Sequence, residues 1–313
     1  MDLLVITSTI AVMGLIIGLG VLTASQIPIT KELKSGIMFI IINIAVPSII
    51  LNGIFSTEVT SHLLNQVLVI FVFSISFHIL SLLFSFTTSK LFNFQSLSPQ
   101  KLSILSTFGN TGFIGIPLCA TIFGPTGGLL AAIFDSAMDL VIFTIGIYML
   151  QSHGKFKLRQ LKALVNPPLI AITVGLLAAV TGFDPPDFIK QLTGMLSAIA
   201  APLAMIYVGM LIPPLIQRKG LLFYSSIWFP LSFKLLILPI ITFVLISFTY
   251  FDGLIKNIII IQASMPTFML ATVLFSRYTD DEETAVLTTI YSTILCLFTI
   301  PFISILATWW GLS

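Results

Sequence analysis

The run Phe108-Gly-Asn-Thr-Gly-Phe-Ile-Gly-Ile-Pro117 lies inside an apolar segment, Leu102 to Phe123, long enough to cross a bilayer. It nevertheless carries three glycines, a proline, Asn110 and Thr111. Such residues break helices where lipid otherwise demands one. An unpaired backbone group in hydrocarbon is costly, so broken backbone at membrane depth survives only inside protein or beside a water-filled cavity. The run is therefore either a kinked scaffold helix or a binding site.

Composition supports the membrane setting. Hydrophobic residues make up 57% of the chain and charged residues 8%, against about a quarter charged in a soluble domain. The 14 basic and 12 acidic residues nearly cancel, so net charge points to no partner. Cys119 and Cys296 both fall in apolar segments and read as small hydrophobes, neither a disulfide nor a metal pair. Leu3–Ala24 lacks a basic leader and is too long for a signal-peptide core, so it reads as a retained first span.

Length and flanks predict ten spans: Leu3–Ala24, Ile37–Phe55, Gln66–Phe86, Leu102–Phe123, Leu129–Leu150, Leu164–Gly182, Leu192–Ile212, Leu221–Tyr250, Leu254–Phe275 and Ala285–Trp309. The expected fold is an all-α integral membrane protein. One set of alternate loops holds Lys31, Lys34, Lys90, Lys101, Lys155, Lys157, Arg159, Lys162, Arg218, Lys219 and Arg277. The other holds only Lys190 and Lys256. This positive-inside bias puts both termini outside and makes the multi-pass protein a cell-membrane protein. The basic His153–Lys162 connection reads as an orientation anchor, and the Trp309-Trp310 pair as a headgroup anchor.

The chain divides into residues 1–150, a connection 151–163, and residues 164–313. A shift of 155 residues lays the Pro47 region over Pro202 and Gly109-Asn-Thr-Gly112 over Ser264-Met-Pro-Thr267. The same offset pairs the third span with the eighth and the fifth with the tenth. Five spans per half is odd, so the second half enters from the opposite side. That is an inverted repeat of the kind secondary transporters use.

The break in span four comes about ten residues in, roughly 15 Å deep at 1.5 Å per residue, near the midplane. The break in span nine, around Met265, Pro266 and Thr267, reaches a similar depth from the other side. Helix ends beginning there would present free N–H groups and positive dipole ends. Two such ends facing each other suit an anion. Gly109, Asn110, Thr111, Gly112, Met265, Pro266 and Thr267 are thus candidate substrate residues. Pro47 and Asn52 in span two are either a wall of the same site or kinked scaffold with polar glue.

Asp135 and Asp139 are four apart on one helix face of span five, and intramembrane carboxylates are usually functional. A close pair in low dielectric shares protons readily. Lys234 in span eight and His78 in span three stand one step from equivalence under the 155-residue shift. These four are the candidates for ion or proton coupling. Alternatively, the aspartates pair with Lys234 or His78 or brace a helix contact, and Lys234 snorkels to the surface.

Gly109-Asn-Thr-Gly-Phe-Ile-Gly-Ile-Pro117 resembles the fourth-helix motif of bacterial members of the auxin efflux carrier family. Ala263-Ser-Met-Pro-Thr267 resembles that family's ninth-helix motif. The Ala45-Val-Pro-Ser-Ile49 of span two and Lys234-Leu-Leu-Ile-Leu-Pro239 of span eight also fit. The resemblance covers essentially the whole chain. It implies a bile acid/sodium symporter-like fold in which broken helices four and nine cross at mid-membrane. Spans one, two, six and seven would be a scaffold and spans three to five and eight to ten a moving transport domain. Such proteins work by elevator-like motion and often as homodimers. Family substrates are small organic anions: auxin in plants, malate or malonate in bacteria. Here Gly109 stands where plant members have proline, and the mid-chain loop is short. Both departures favour a bacterial metabolite carrier.

A secondary carrier for a small carboxylate is the expected function, with a sodium- or proton-coupled symporter of the bile-acid type as the alternative. A channel would want a hydrated pore-lining run or a repeated filter, and none is visible. An aspartyl protease would need carboxylates on two facing helices, whereas Asp135 and Asp139 share one. There is also no paired His-Glu metal motif. The expectation is no enzyme activity, no cofactor and no metal. The expected partners are the anion, membrane lipid, Na+ or H+, and a second copy of the chain.

Overall fold

The computed structural model describes residues 3–57, 60–92, 97–151, 162, 164–219 and 227–309. The basic residues Lys155, Lys157 and Arg159, the start of span eight at Leu221, and Trp310 lie outside the described residues. Among those described, the chain is helical throughout, with a single isolated bridge. The helices are α1 (Leu3–Gln26), α2 (Lys31–Phe55), α3 (Ser61–Phe92), α4 (Pro99–Thr107), α5 (Thr111–Leu150) and α6 (Pro167–Val180). They continue with α7 (Asp187–Ala198), α8 (Ala200–Lys219), α9 (Trp228–Ser247), α10 (Gly253–Ala263), α11 (Leu270–Tyr278) and α12 (Glu282–Trp309).

Six stretches among the described residues are long and apolar enough to cross a membrane: Lys31–Phe55, Ser61–Phe92, Thr111–Leu150, Asp187–Pro213, Trp228–Ser247 and Glu282–Ala307. Ala11–Gln26, Pro167–Val180 and Gly253–Ala263 are shorter apolar helices. The expected spans four and nine are not single helices. Each is broken, α4 from the start of α5 and α10 from α11. The expected spans four and five run together in the secondary structure, but they are two arms. Gly124 has φ 72° and ψ −169°, outside helical space, and Pro125 follows it. A Cβ on Gly128 would stand 2.9 Å from the Ala120 Cβ. Residues eight apart in one straight helix lie about 12 Å apart along its axis. The chain therefore doubles back at Gly124, a position glycine allows because φ is positive.

Two compact units emerge. The first comprises Met1–Val69, Thr111–Ile133 and Asn166–Leu222. In it, α1 packs closely on α8, with Gly20 and Gly209 facing each other. A Cβ on Gly209 would meet the Ile17 carbonyl oxygen at 2.1 Å and the Gly20 Cα at 2.8 Å. Small residues permit this backbone approach, the usual basis of helix association in lipid. Gly209→Val should force the helices apart and destabilise the protein by about 1–3 kcal/mol, the usual range for overpacking. Gly14, on the facing helix α1, has open space around it, so Gly14→Val is the control. Thermal midpoints in detergent should fall for the first variant and hold for the second. Equal midpoints would rule the contact out.

α2 packs on α6 and α7 in the same unit. Its winding widens to a π-turn over Ile41–Ala45, just ahead of Pro47. Proline has no N–H to give the carbonyl four residues back, and a wide turn absorbs that mismatch.

The second unit comprises Ile70–Asn110, Phe134–Val165 and Phe223–Ser313. Its core joins Leu82 of α3, Ile104, Leu105 and Phe108, Met138 to Phe143 of α5, and Phe268 to Phe275. Aromatic and aliphatic side chains thus surround the two helix breaks that this unit contains.

Candidate functional site

The break in the first motif is shorter than its composition suggests. Only Phe108 to Asn110 leave the helix, between α4 and α5. Gly112, Gly115 and Pro117 are helical, with a π-turn over Thr111–Gly115 taking up the strain of the glycines and the proline. The second break is longer, from Ser264 to Met269, between α10 and α11.

The two breaks meet as a minimal antiparallel pair. Gly109 lies opposite Thr267. The Asn110 N–H donates to the Pro266 carbonyl at 2.7 Å, and the Phe268 N–H donates to the Phe108 carbonyl at 3.2 Å. The Thr267 hydroxyl donates to the Leu105 carbonyl at 3.1 Å, and the Thr267 N–H donates to Ser292 Oγ at 3.0 Å. Backbone groups that left the helices thus find partners on the other broken span and on α12, as a low-dielectric interior requires. Ser292 escaped the sequence reading. Its signal was there, because Thr288, Thr289, Ser292 and Thr293 place buried hydroxyls on one face of the last span.

Lys234 sits on this junction. It lies in a π-turn of α9, Phe233–Ile237, and is fully buried, so it does not snorkel. Its Nζ donates to the carbonyl of Ala263, the last residue of α10, at 3.1 Å. An ammonium there complements the negative end of the helix dipole. It also lies against the other broken span. A Cβ on Gly109 would stand 3.0 Å from both Lys234 Cε and Nζ. Glycine at 109 leaves room for the ammonium, against which a larger residue would press. One Nζ donor goes to Ala263, and among the described residues no carboxylate hydrogen-bonds to Lys234.

Two further polar atoms at the junction are unpaired. Among the described residues, the buried Asn110 has no hydrogen-bond partner at Nδ2 and the buried His78 has none at Nε2. The His78 ring stacks on Phe108 at 5.8 Å and meets Phe134 edge-on at 5.3 Å.

Gly109, Asn110, Met265, Pro266, Thr267, Lys234 and His78 are therefore gathered in the second unit. Asp135 and Asp139 belong to the same unit on α5, one buried and one half-buried, but neither hydrogen-bonds Lys234. Thr111 and Gly112 open α5 in the first unit, which also holds Pro47 and Asn52. There Asn52 lines a cavity of about 230 Å³ with Pro117, Thr121 and Ser197, and its Oδ1 accepts from Ser56 Oγ at 3.3 Å.

The membrane transport protein family matches residues 5–304, nearly the whole chain. The chain belongs to that family. It is the auxin efflux carrier family that the two crossover motifs resemble. Three relatives in the membrane transport protein family are similar along the chain. An "Uncharacterized transporter" of Methanothermobacter thermautotrophicus is 26% identical, covering 88% of this chain and 89% of the relative. The "Uncharacterized transporter MJ1031" of Methanocaldococcus jannaschii is 29% identical over 77% and 79%. A protein of Rhizobium meliloti named "Putative malonate transporter" is 24% identical over 62% of each chain. The chain is thus a multi-pass membrane protein of a transporter family.

Proposed function

We propose that this protein is a secondary carrier for a small organic anion, a dicarboxylate such as malonate, bound where the two broken spans meet. The observation that carries the reading is Lys234. An ammonium in a protein interior is expensive unless a negative charge compensates it. Here its partner is one helix-end carbonyl, and a half charge at most resides there. A substrate carboxylate would complete the compensation, with Asn110 Nδ2 as an added donor. This reading gives the site the same sign that the helix ends suggest, from an independent group. The name of the Rhizobium meliloti relative agrees with a dicarboxylate.

In the full form of the reading, ten spans form two inverted five-helix repeats, with both termini outside the cell membrane. Irregular winding supports the repeat. The π-turn at Ile41–Ala45 precedes Pro47, and the break at Ile199 precedes Pro202, at the same 155-residue offset. A two-body division suits elevator-like motion. A homodimer is part of the proposal.

Proteoliposomes test it. Loaded with unlabelled malonate, they should take up labelled malonate by exchange, saturably, and slowly or not at all when empty. Malate should compete better than citrate, lactate or indole acetate. Linear flux that ignores the internal load would sink the carrier reading and favour a channel.

A further inference from the structure

His78 is the buried base at the crossover that no structural need explains. Its Nδ1 lies 2.7 Å from the Ser74 carbonyl oxygen. A carbonyl only accepts, so Nδ1 carries the proton in the neutral ring. Ser74 Oγ donates to the Phe134 carbonyl at 2.7 Å and fixes that arrangement from the α5 side. Nε2 is then a bare lone pair, buried and without a partner. Leaving such an acceptor unpaired has a penalty of about 1–3 kcal/mol. Apolar residues would fill the same place beside Phe77, Phe108 and Phe134 without it.

Charge counting gives the atom a task. Lys234 supplies one positive charge beside Gly109, next in the chain to the Phe108 ring on which His78 stacks. A monocarboxylate would neutralise that charge, but a dicarboxylate dianion would leave one negative charge over. On α3 itself the other titratable side chains, His62 and Lys90, lie several turns from His78; α4 carries Lys101 near its start, and α5 carries Asp135 and Asp139 after Phe134. We propose that His78 Nε2 takes up one proton together with a dicarboxylate dianion, so that the protonated imidazole and the Lys234 ammonium jointly balance it. The inference rests on the anion-carrier reading above and names its coupling group. In the empty site a proton on Nε2 would set two cations against each other. In the loaded site the new N–H gains a carboxylate acceptor. Proton and dianion therefore strengthen each other's binding by the same factor, as linkage requires. No bond is made or broken in the substrate. One proton moves from water to Nε2 and back.

Two measurements decide it. The first is calorimetric titration of the wild-type protein with malonate, in buffers of different ionisation enthalpy, above pH 7 where malonate is the dianion. About one proton should be taken up per malonate bound, and a value near zero overturns the proposal. The second uses proteoliposomes with the membrane potential clamped at zero. One pH unit, acid outside, should raise malonate accumulation about tenfold, since one unit is worth about 1.4 kcal/mol per proton. In His78→Asn, whose amide can still donate to Ser74, that ratio should fall to about one. If the variant retains the tenfold response, hydrogen malonate itself is the proton carrier and His78 is not. If the wild-type protein shows no malonate exchange even at equal pH, the carrier reading fails instead. Exchange without a response to the gradient sinks only the proton inference.

Discussion

Lys234→Met should abolish malonate uptake and leave the protein as stable as before, or more so. The two halves of that expectation have one origin. Lys234 is fully buried, its Nζ bonded to Ala263 at 3.1 Å. Methionine has similar volume and reach without the charge. Replacing buried ions by apolar groups of like size is often neutral or stabilising by about 1–4 kcal/mol. The lost interaction with the α10 helix end offsets about 0.3–1 kcal/mol of that. Transport has no such relief. A desolvated carboxylate deprived of its partner loses about 3–5 kcal/mol, which corresponds to roughly two to four orders of magnitude in affinity. Initial uptake rates and the thermal midpoint in detergent, measured on one preparation, give both signs. A large drop in the midpoint would show that Lys234 is a helix cap first. Uptake within about twofold of wild type would remove it from the substrate site.

The sequence disclosed the crossover because its signals were local. Glycine and proline in an apolar segment conflict with an unbroken helix wherever they occur, and Gly109 and Pro266 do meet through the bond from Asn110 N–H to the Pro266 carbonyl. The extent of the break was not legible in the same way. Gly112, Gly115 and Pro117 look as disruptive as Gly109, yet a π-turn over Thr111–Gly115 keeps them helical. The tertiary environment of Gly109 includes Lys234, whose Cε and Nζ would stand 3.0 Å from a Cβ there. The reversal between spans four and five was legible, because Gly124-Pro-Thr-Gly-Gly128 separates the two apolar runs, and the structure places its non-helical residue at Gly124, φ 72°. For Lys234 and His78 the pattern placed each within a span and left the choice of partner, an aspartate or the surface, open. A lysine in a span reads equally well as snorkelling or buried. Only the 3.1 Å bond to Ala263, made by residues 29 positions apart, decides between them. The roles of Ser292 and Ser74 were similarly hidden, since a hydroxyl in a membrane helix ordinarily satisfies itself on the preceding turn, as most here do.

Asn110→Ala should weaken malonate transport without unfolding the protein, and it separates the substrate role of this residue from its structural one. The backbone does the structural work: its N–H donates to Pro266, and alanine keeps that bond. The side chain contributes no bond through Nδ2, which is buried and unpaired. Burying an amide donor without a partner is unfavourable by about 1–3 kcal/mol, so its removal should leave the thermal midpoint level or raised. A donor that waits for an anion is worth about 1.5–3 kcal/mol once the anion arrives. Its loss should therefore raise the half-saturation concentration for malonate by roughly ten- to a hundredfold. Asn110→Asp sharpens the test. A carboxylate beside Lys234 would supply the missing counter-charge from within the protein and exclude the substrate, so exchange should fall further than in the alanine variant. If alanine and aspartate both transport like wild type, the crossover holds helices together and the anion binds elsewhere. If alanine instead lowers the midpoint, Asn110 braces the junction and its empty donor is not kept for a ligand.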